Sequence, residues 1–568
     1  MQVISRTSRV SKTASKGARL ATVATVLAIL LVILAHILLH PLLIPAEAAV
    51  HLQGALLMVN GKLPYADFFV LSSPAMLYLL FIPAAASELT NIHPILVFNL
   101  FVFVILVLSL IGCKAVLLDH KSRDQASAPY FLICFAALSL VFISEFGQAH
   151  HLLMLLTIPY FLCRKASFCG QILGPRLLAA CGVAAGIGFS LEPVFALLFI
   201  ATELVWWVEK QSLKPFSSLD FTSCALVLAI YLSHFIMIPA PMSSLYAALA
   251  LPLVMYDYKH WWDILSYVDK TPDRRDLVYF MIVAVTVALG LRKWCGLIVP
   301  MVVIAVASFG IFIFEGHMLT FQALPFVYGA ALAGALALAV VINWIAGTRV
   351  LARAMNKSLL PRAIAVVAGL AAIAAIFYQS SQLSGVEYLS LSDQGYQGYP
   401  GSAPKSDLAD FADQILKETR PGDRVLVLNP RARPAYPLLL QLGRKPASSG
   451  LLTAEPLSIS ERILPLEPPE SAGPLGYHMD MVLEKVNKDL SGRERPKLVI
   501  YDQETMGVIL ENDGLKDKIL KYYAPIEMAD WNLDKGVHPS IEYLGFKYPL
   551  NVLKLKPEFE PKAGNKKK

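Results

Sequence analysis

Long apolar runs, broken by short charged segments, fill the first two thirds of the 568-residue chain. Many runs approach or exceed the roughly 20 residues that an α-helix needs to cross a bilayer. We therefore expect a polytopic α-helical membrane protein with about eleven spans. They are predicted at residues 20–44, 93–113, 128–144, 152–163, 177–191, 193–208, 219–239, 277–291, 294–314, 323–346 and 363–379. Residues 20–379 form the transmembrane domain in this interpretation, and residues 1–19 form a basic N-terminus.

The pattern changes near residue 380, where a linker rich in Ser, Gly and Tyr (380–403) precedes a polar region with short alternating elements. This region, 404–560, predicts a small α/β domain, and the Lys-rich tail 561–568 is predicted to be disordered. Its predicted elements are a helix over Asp407–Thr419, strands at Arg424–Leu428 and Lys497–Tyr501, a helix over Leu515–Tyr522, and a final hairpin or strand over Ile541–Leu555.

The first predicted external loop, residues 45–92, is neither a clean span nor a plain loop. Two amphipathic stretches, Ala46–Val59 and Ala75–Ala86, predict helices that lie in the membrane interface. They bracket a turn with Pro64 and Asp67. This arrangement would hold one carboxylate at the level of the membrane.

Composition supports the membrane assignment and sets its orientation. Hydrophobic residues make up 56% of the chain and charged residues only 16%, against about 25% charged residues in average proteins. Basic residues favour the loops predicted to be cytoplasmic, 14 against 5 in the external ones. The N-terminus is therefore predicted inside and the C-terminal domain outside. The net charge of +7 is explained by these loops and does not indicate a nucleic-acid partner.

The cysteines and the glycosylation signals bear on the compartment. All seven cysteines lie before residue 300 without metal-site spacing, so neither disulfides nor structural zinc are expected. The predicted external domain contains no Asn-x-Ser/Thr sequon. This lack favours a bacterial inner membrane.

The first loop resembles that of a known family. The matching positions are Gly61, Pro64, Tyr65, Asp67, Phe68, Pro74 and Tyr78. They are similar to the first external loop of the GT-C glycosyltransferases, in particular bacterial relatives of the protein O-mannosyltransferases and of the lipid A aminoarabinose transferase. Two other stretches resemble external turns of that family, Phe146–His151 with Pro159-Tyr160 and Glu315-Gly316-His317 with Phe321–Pro325. The resemblance covers about residues 20–380 in layout.

The resemblance implies a GT-C fold and an inverting transfer of a sugar from a polyprenyl-phosphate donor. The acceptor would be a cell-envelope lipid, polysaccharide or protein on the external face. Asp67 is the candidate general base, because a carboxylate can take the acceptor proton. Cationic groups would stabilise the charge on the leaving phosphate. The candidate substrate-binding residues are Tyr65, Gln148, His150, His151, Lys259, Arg274, Arg275, His317 and Gln322. No cofactor is assigned; a divalent metal could find ligands among Asp67, His150, His151 and His317.

Three positions depart from the family pattern. Asp67 has no adjacent acid, Phe321-Gln322 stands where relatives show Tyr-His, and Glu192-Pro193 stands where many show Lys-Pro. Glu192 is expected to be functional if it lies within the membrane and a solvated cap if it lies at the turn.

Other interpretations remain open. The chain could be a ligase or polymerase of lipid-linked glycans that uses the basic loop Lys259–Asp276, a transporter or flippase, or a scaffold without activity. Asp67 could simply cap a helix, and the two histidines could form a polar turn. The run Gly182–Gly188 lies inside an apolar span and predicts helix packing rather than a phosphate loop.

Overall fold

The computed structural model describes residues 2–39, 42–64, 67–68, 73–118, 123–237, 272–315, 320–347, 409–428, 432, 435–447, 484, 486–492, 495–502, 510–511, 514–526, 540–543 and 546–560. The chain divides into two compact units. Unit 1 comprises residues 1–39, 100–234 and 257–389, and unit 2 comprises residues 40–99, 235–256 and 390–568. Unit 2 thus joins the first predicted loop to the C-terminal region.

Twelve helices precede the C-terminal region in the described residues. They are α1 (Gln2–Leu39), α2 (Ala46–Val59), α3 (Pro74–Thr90), α4 (Pro94–Leu118), α5 (Ala128–Val141), α6 (Ala149–Phe168), α7 (Pro175–Leu191), α8 (Ala196–Lys210), α9 (Leu219–Met237), α10 (Pro272–Leu291), α11 (Ile298–Glu315) and α12 (Leu324–Gly347). Ten of the eleven predicted spans coincide with one of these helices, and the eleventh, 363–379, lies outside the described residues.

Within the described residues, four segments are long and apolar enough to cross a bilayer by themselves, namely Leu20–Leu39, Pro94–Leu117, Leu219–Met237 and Phe321–Trp344. The helix α9 also exposes large apolar side chains, with Ile236 85% and Leu226 62% exposed. Water would not favour such a surface, whereas lipid does. The protein is therefore a mostly helical membrane protein, and eleven remains a predicted number of spans.

Glycine allows α7 to approach α9 closely within unit 1. A Cβ added at Gly182 would lie 2.2 Å from the carbonyl oxygen of Asp220, and one added at Gly186 would lie 2.5 Å from the Cβ of Val227. The two glycines are four residues apart, so they lie on the same side of α7. Helices in membranes associate through such small residues. The prediction that this run serves helix packing is confirmed.

The helices α2 and α3 pack against each other in unit 2, at the places predicted for the two amphipathic stretches. Burial of α2 differs from the prediction, because every residue from Ala48 to Leu56 is buried. A helix lying on a membrane surface would keep one side in water, so α2 is not a surface helix. By contrast, α3 buries Leu77 and Leu80 while Ile82 is 58% exposed. Only α3 has the exposed apolar side that an interfacial helix needs.

A mixed sheet forms the C-terminal part of unit 2. Its strands are β1 (Arg424–Leu428), β2 (Lys445–Pro446), β3 (Leu498–Asp502), β4 (Tyr523–Pro525), β5 (Ser540–Tyr543) and β6 (Phe546–Leu555). The order is β2-β1-β3-β6-β4, with β5 paired to β6. The strands β2 and β3 pair parallel to β1, and every pairing with β6 is antiparallel.

The named helices of this region in the described residues are α13 (Ala409–Glu418), α14 (Ala435–Gln441) and α15 (Leu515–Tyr522). The predicted strand at Arg424–Leu428 and the predicted helix at Leu515–Tyr522 have the predicted bounds, and the last predicted segment is the hairpin of β5 and β6. The short elements β2, β4 and α14 were not predicted, because two to seven residues are too few for a periodic pattern.

The helix α14 packs on α2, so the first loop and the C-terminal sheet region share one interior. His93, just before α4, contributes to this packing. Its Nδ1 accepts a hydrogen bond from the N–H of Ile95 at 3.3 Å. Its side chain also hydrogen-bonds to the backbone of Leu440 in α14.

Candidate functional site

Asp67 lies in a tight turn of unit 2 between α2 and α3. One carboxylate oxygen, Oδ2, accepts a hydrogen bond from the backbone N–H of Leu63 at 2.8 Å, and the N–H of Asp67 donates to the carbonyl of Leu63 at 2.9 Å. The next residue, Phe68, is 1% exposed and anchors the turn. Asp67 itself is exposed. The carboxylate is therefore held in a fixed position by one oxygen and accessible to solutes.

The hydrogen bond from Leu63 to the carboxylate stabilises the turn, which is a common structural role of aspartate. It also suits a base, because an ionised carboxylate has about four acceptor positions and the turn uses one. Asn can replace Asp as the acceptor for the N–H of Leu63 without its negative charge. The two roles of Asp67 can therefore be separated by experiment.

In unit 1, His151 is fully buried at the start of α6. Its Nδ1 accepts a hydrogen bond from the backbone N–H of Gly147 at 3.1 Å. Because a backbone N–H can only donate, Nε2 must carry the proton, and it contacts Oγ of Ser139 at 3.3 Å. That hydroxyl in turn lies 3.4 Å from the hydroxyl of Tyr328. Both nitrogens are used, so His151 fixes the ends of α5, α6 and α12 relative to each other.

His150, the adjacent residue, is 4% exposed, yet neither ring nitrogen has a hydrogen-bond partner among the described residues. Its Nδ1 lies 3.7 Å from Oε1 of Glu192, which is too long for a hydrogen bond. Phe195 and Phe321 each place their ring centroid 5.3 Å from that of the imidazole. A buried polar group left without a hydrogen bond costs about 1–3 kcal/mol. His150 therefore differs from the adjacent His151, both of whose ring nitrogens have partners.

Glu192 reaches this place because α7 ends there. It is the C-cap of α7, its side chain is 26% exposed, and the 3-10 turn Pro193–Phe195 follows it directly. Of the two expectations for Glu192, the solvated cap fits its position at a helix end. The group that it faces is nevertheless the buried imidazole of His150. Glu192 was not among the predicted site residues.

The remaining predicted residues are distributed as follows. Gln148, 2% exposed, is the N-cap of α6, and Gln322, 6% exposed, lies in the 3-10 turn Thr320–Ala323. Arg274 and Arg275 were predicted in a loop, but α10 already begins at Pro272, so both lie in its first turn. Tyr65, Lys259 and His317 lie outside the described residues. No group of three His, Cys, Asp or Glu that could hold a metal occurs in the part of the chain described.

A buried ion cluster within unit 1 was missed by the sequence analysis. Arg164 of α6, fully buried, donates from Nε and Nη2 to the two oxygens of Glu203 in α8 at 2.7 and 2.5 Å. Its Nη1 lies 3.5 Å from Oδ2 of Asp220 in α9. Arg164 and Lys165 were counted as residues of a cytoplasmic loop, which is wrong because α6 continues to Phe168. Glu203 and Asp220, acids within or beside apolar runs, were the available signal.

The Arg164 cluster joins three helices by paired charges. Since the guanidinium has a bidentate partner and a second carboxylate, its charge is neutralised inside the unit. Replacing one partner of such a pair leaves an uncompensated buried charge. This cluster is therefore sufficiently explained as a structural connection between α6, α8 and α9.

Fold and site together define a helical membrane protein with an exposed, fixed carboxylate in unit 2 and a buried imidazole facing a carboxylate in unit 1. No protein-family model and no curated protein matches the chain. Among solved structures, the arabinofuranosyltransferase AftD from mycobacteria aligns at 15% identity with a TM-score of 0.44. The alignment covers 94% of this chain and 40% of the AftD chain.

ArnT from Cupriavidus metallidurans, solved with undecaprenyl phosphate bound, aligns at 13% identity and a TM-score of 0.44. This alignment covers 96% of the present chain and 99% of the ArnT chain. Both matches have TM-scores below 0.5, so they show similarity to these two structures and no more. At this identity and TM-score, neither carries the substrate or the site residues of the other protein over to this chain.

Proposed function

We propose that the protein is a membrane glycosyltransferase that moves a sugar from a polyprenyl-phosphate donor to a cell-envelope acceptor. The observation that carries the proposal is the exposed carboxylate of Asp67, which the hydrogen bond from Leu63 holds in place. It lies within the segment, Gly61 to Tyr78, whose residues resemble the first loop of the GT-C family. The acceptor is a lipid, polysaccharide or protein of the envelope.

The common unit of loop and C-terminal region supports the predicted orientation. Residues 40–99 and 390–568 belong to one unit, and α14 packs on α2. Two segments that share an interior must lie on the same side of a membrane. The basic residues are concentrated on the opposite side, which is therefore the cytoplasmic side. The side that holds the first loop and the C-terminal region is then the exterior of a bacterial inner membrane. The C-terminal region then serves acceptor recognition beside the loop.

The proposed reaction is a single displacement. The carboxylate of Asp67 takes the proton of the acceptor hydroxyl, whose oxygen forms a bond to the anomeric carbon of the sugar. The bond between that carbon and the phosphate oxygen breaks, and polyprenyl phosphate leaves with the electron pair. Attack opposite to the leaving group inverts the anomeric configuration. The basic residues Lys259, Arg274 and Arg275 are the candidates for stabilising the phosphate, because the charge develops there.

The variant Asp67→Asn tests the role of the base. The amide oxygen can still accept from the N–H of Leu63, so the turn is retained while the base is lost. General-base catalysis typically contributes 10²- to 10⁴-fold, and we expect a loss of about that size in the release of free polyprenyl phosphate. The assay combines the purified full-length protein with a panel of polyprenyl-phosphate sugars and membrane acceptors.

The matched control is Glu88→Gln, which removes an exposed carboxylate from α3 of the same unit. It is expected to keep full activity, and both variants are expected to unfold at the wild-type temperature. Full activity of Asp67→Asn would contradict the assignment of the base. Release of a pyrophosphate carrier instead of polyprenyl phosphate would favour the ligase or polymerase.

A further inference from the structure

We propose that α14 of the C-terminal region positions the turn of Asp67, and that His93 is the positioning residue that holds α14 in place. The proposal rests on the proposed function for the role of Asp67 as the base. It gives the C-terminal region a part in catalysis in addition to acceptor recognition. All residues concerned belong to unit 2.

The chain leaves α2 in a fixed direction. The N–H of Gly61 donates to the carbonyl of Met58 at 2.9 Å. The N–H of Lys62 donates to the carbonyl of Leu57 at 3.0 Å. With the positive φ of Gly61, 80°, these two bonds form a Schellman motif, which closes the end of a helix. The backbone at Lys62 is therefore fixed relative to α2.

The turn of Asp67 is attached directly to this helix end. Leu63, the residue after Lys62, donates to Oδ2 of Asp67 at 2.8 Å and accepts from its N–H at 2.9 Å. Successive backbone hydrogen bonds thus connect the carboxylate to α2, so a shift of α2 would move the carboxylate. A misplacement of about 1 Å can cost about a hundredfold in rate. The position of α2 therefore matters for catalysis.

The position of α2 depends on α14. Every residue of α14, Ala435–Gln441, is buried, and so is every residue of α2 from Ala48 to Leu56. The two helices pack on each other, and α3 also packs on α2. The chain itself joins α3 to the turn, whereas α14 belongs to the C-terminal region. The contact with α14 therefore ties the loop to the C-terminal region.

His93 attaches α14 to the residues that end the loop. Its Nδ1 accepts a hydrogen bond from the N–H of Ile95, so the proton of the neutral ring is on Nε2. The side chain also hydrogen-bonds to the backbone of Leu440. Because Nε2 can only donate, the partner atom is the carbonyl oxygen of Leu440. His93 therefore joins the start of α4 to the last turn of α14.

Two substitutions separate the two hydrogen bonds of His93. The amide nitrogen of Gln can take the place of Nε2 and donate to Leu440, whereas the shorter Asn can replace only Nδ1 as the acceptor for Ile95. We expect His93→Asn to lower kcat of sugar transfer about tenfold with KM for the donor unchanged, because the base is displaced while donor binding is retained. His93→Gln should keep most of the wild-type kcat.

Hydrogen exchange measures the order of the turn without reference to activity. The experiment uses the purified full-length protein and follows peptides that cover residues 57–68. In His93→Asn the amides of these residues should exchange about fivefold faster, because local opening becomes easier when α2 loses its support. Leu439→Ala, which truncates a side chain of α14 that is 2% exposed, should have the same effect through the cavity that it leaves. The amides of α9 in unit 1 should exchange as in the wild type.

Ile519→Ala is the matched control. Ile519 is 1% exposed in α15, which packs on β4, whereas α14 packs on β2 at the opposite edge of the sheet. This variant should unfold at a lower temperature, as Leu439→Ala does, but keep the wild-type kcat and the wild-type exchange of residues 57–68.

The inference is overturned if Ile519→Ala accelerates exchange of residues 57–68 as much as Leu439→Ala does. It is also overturned if His93→Asn leaves this exchange unchanged, or if His93→Gln accelerates it as much as His93→Asn. If the wild type transfers no sugar but the exchange results are as expected, the proposed reaction is contradicted, while the support of the turn by α14 is retained.

Discussion

At the residue scale, His51 in α2 is a buried titratable residue whose imidazole hydrogen-bonds to a backbone carbonyl. The residue is 5% exposed. Its Nδ1–H donates a hydrogen bond to the carbonyl of Glu47 at 2.7 Å. Burial lowers its pKa from 6.5 to about 4, although the hydrogen bond to Glu47 opposes the shift. The folded protein is therefore more stable with the imidazole of His51 in its neutral form.

This shift predicts a loss of stability in acid. The folded state binds the proton more weakly than the unfolded chain, so His51 has no effect above about pH 6.5. Between pH 6.5 and about pH 4 the free energy of unfolding should fall by about 3 kcal/mol in total. Thermal unfolding of the detergent-purified protein at pH 7.5 and pH 5 measures this loss of stability. In His51→Gln, which can still donate to Glu47 but does not titrate, the decrease should be smaller.

Other groups titrate in the same range, so the difference between wild type and His51→Gln is the relevant quantity. Equal decreases in unfolding temperature for the two proteins would show that His51 is not held neutral. A variant less stable than the wild type at both pH values is compatible with the prediction, provided that its decrease with pH is the smaller one.

The candidate site residues show which features can be predicted from the type of a residue and which cannot. The pattern around Asp67 identified the turn, because Gly, Pro and Asp have distinct backbone preferences that are visible in a sequence. His150 and His151 were predicted alike, since they are neighbours of the same type. Their roles differ because successive helical residues point about 100° apart, and only the tertiary structure determines what each one meets. Glu192 was considered either as a cap or as an acid within the membrane, and its proximity to His150 could not be predicted from the sequence.

At the element scale, the contact between α7 and α9 depends on two glycines. Ala at position 182 or 186 would place its Cβ 2.2 or 2.5 Å from atoms of α9. The helices must then separate, and overpacking of this kind typically costs about 1–3 kcal/mol. We expect Gly182→Ala and Gly186→Ala each to lower the unfolding temperature of the purified protein.

Gly310→Ala in α11 is the matched control, because an added Cβ there meets no atom within 4 Å. Ala favours a helix over Gly by about 1 kcal/mol, so this variant should be as stable as the wild type or more so. If all three substitutions shifted the unfolding temperature in the same direction, the contact between α7 and α9 would not be the cause.

The helices differ in how well their surroundings could be predicted. Apolar length identifies a helix such as α4, and each of the ten predicted spans within the described residues falls on one. Burial depends on neighbours that are distant in sequence. The helix α2 was expected to lie on the membrane, but α3 and α14 pack on it, and α14 comes almost 400 residues later in the chain. Likewise, Arg164 was assigned to a loop because its partners in α8 and α9 were not known.

At the scale of the whole molecule, the chain segments that form unit 2 constrain the membrane topology. The first loop and the C-terminal region occupy one unit, although residues 100–234 separate them in unit 1. The alternation of spans and the distribution of basic residues predicted the same relation, with both segments outside and the turn between α6 and α7 inside. The two arguments are independent, since the first uses packing and the second uses charge.

The cysteines of the protein allow a direct test of this topology. Cys169, between α6 and α7, is exposed, and the other six cysteines are buried. A membrane-impermeant maleimide should therefore label Cys169 of the native protein in inside-out vesicles and leave it unlabelled in right-side-out vesicles. Cysteines introduced at exposed positions as Glu88→Cys in α3 and Asp517→Cys in α15 should show the opposite pattern.

The two introduced cysteines must behave alike, because a bilayer cannot separate two parts of one packed unit. Labelling of Glu88→Cys and Asp517→Cys from opposite sides would contradict the joining of the first loop and the C-terminal region. Labelling of both together with Cys169 from the same side would preserve unit 2 but contradict the predicted number of crossings between α3 and α6. Replacement of Cys169 by Ser in both variants removes the native signal, so each remaining signal reports one position.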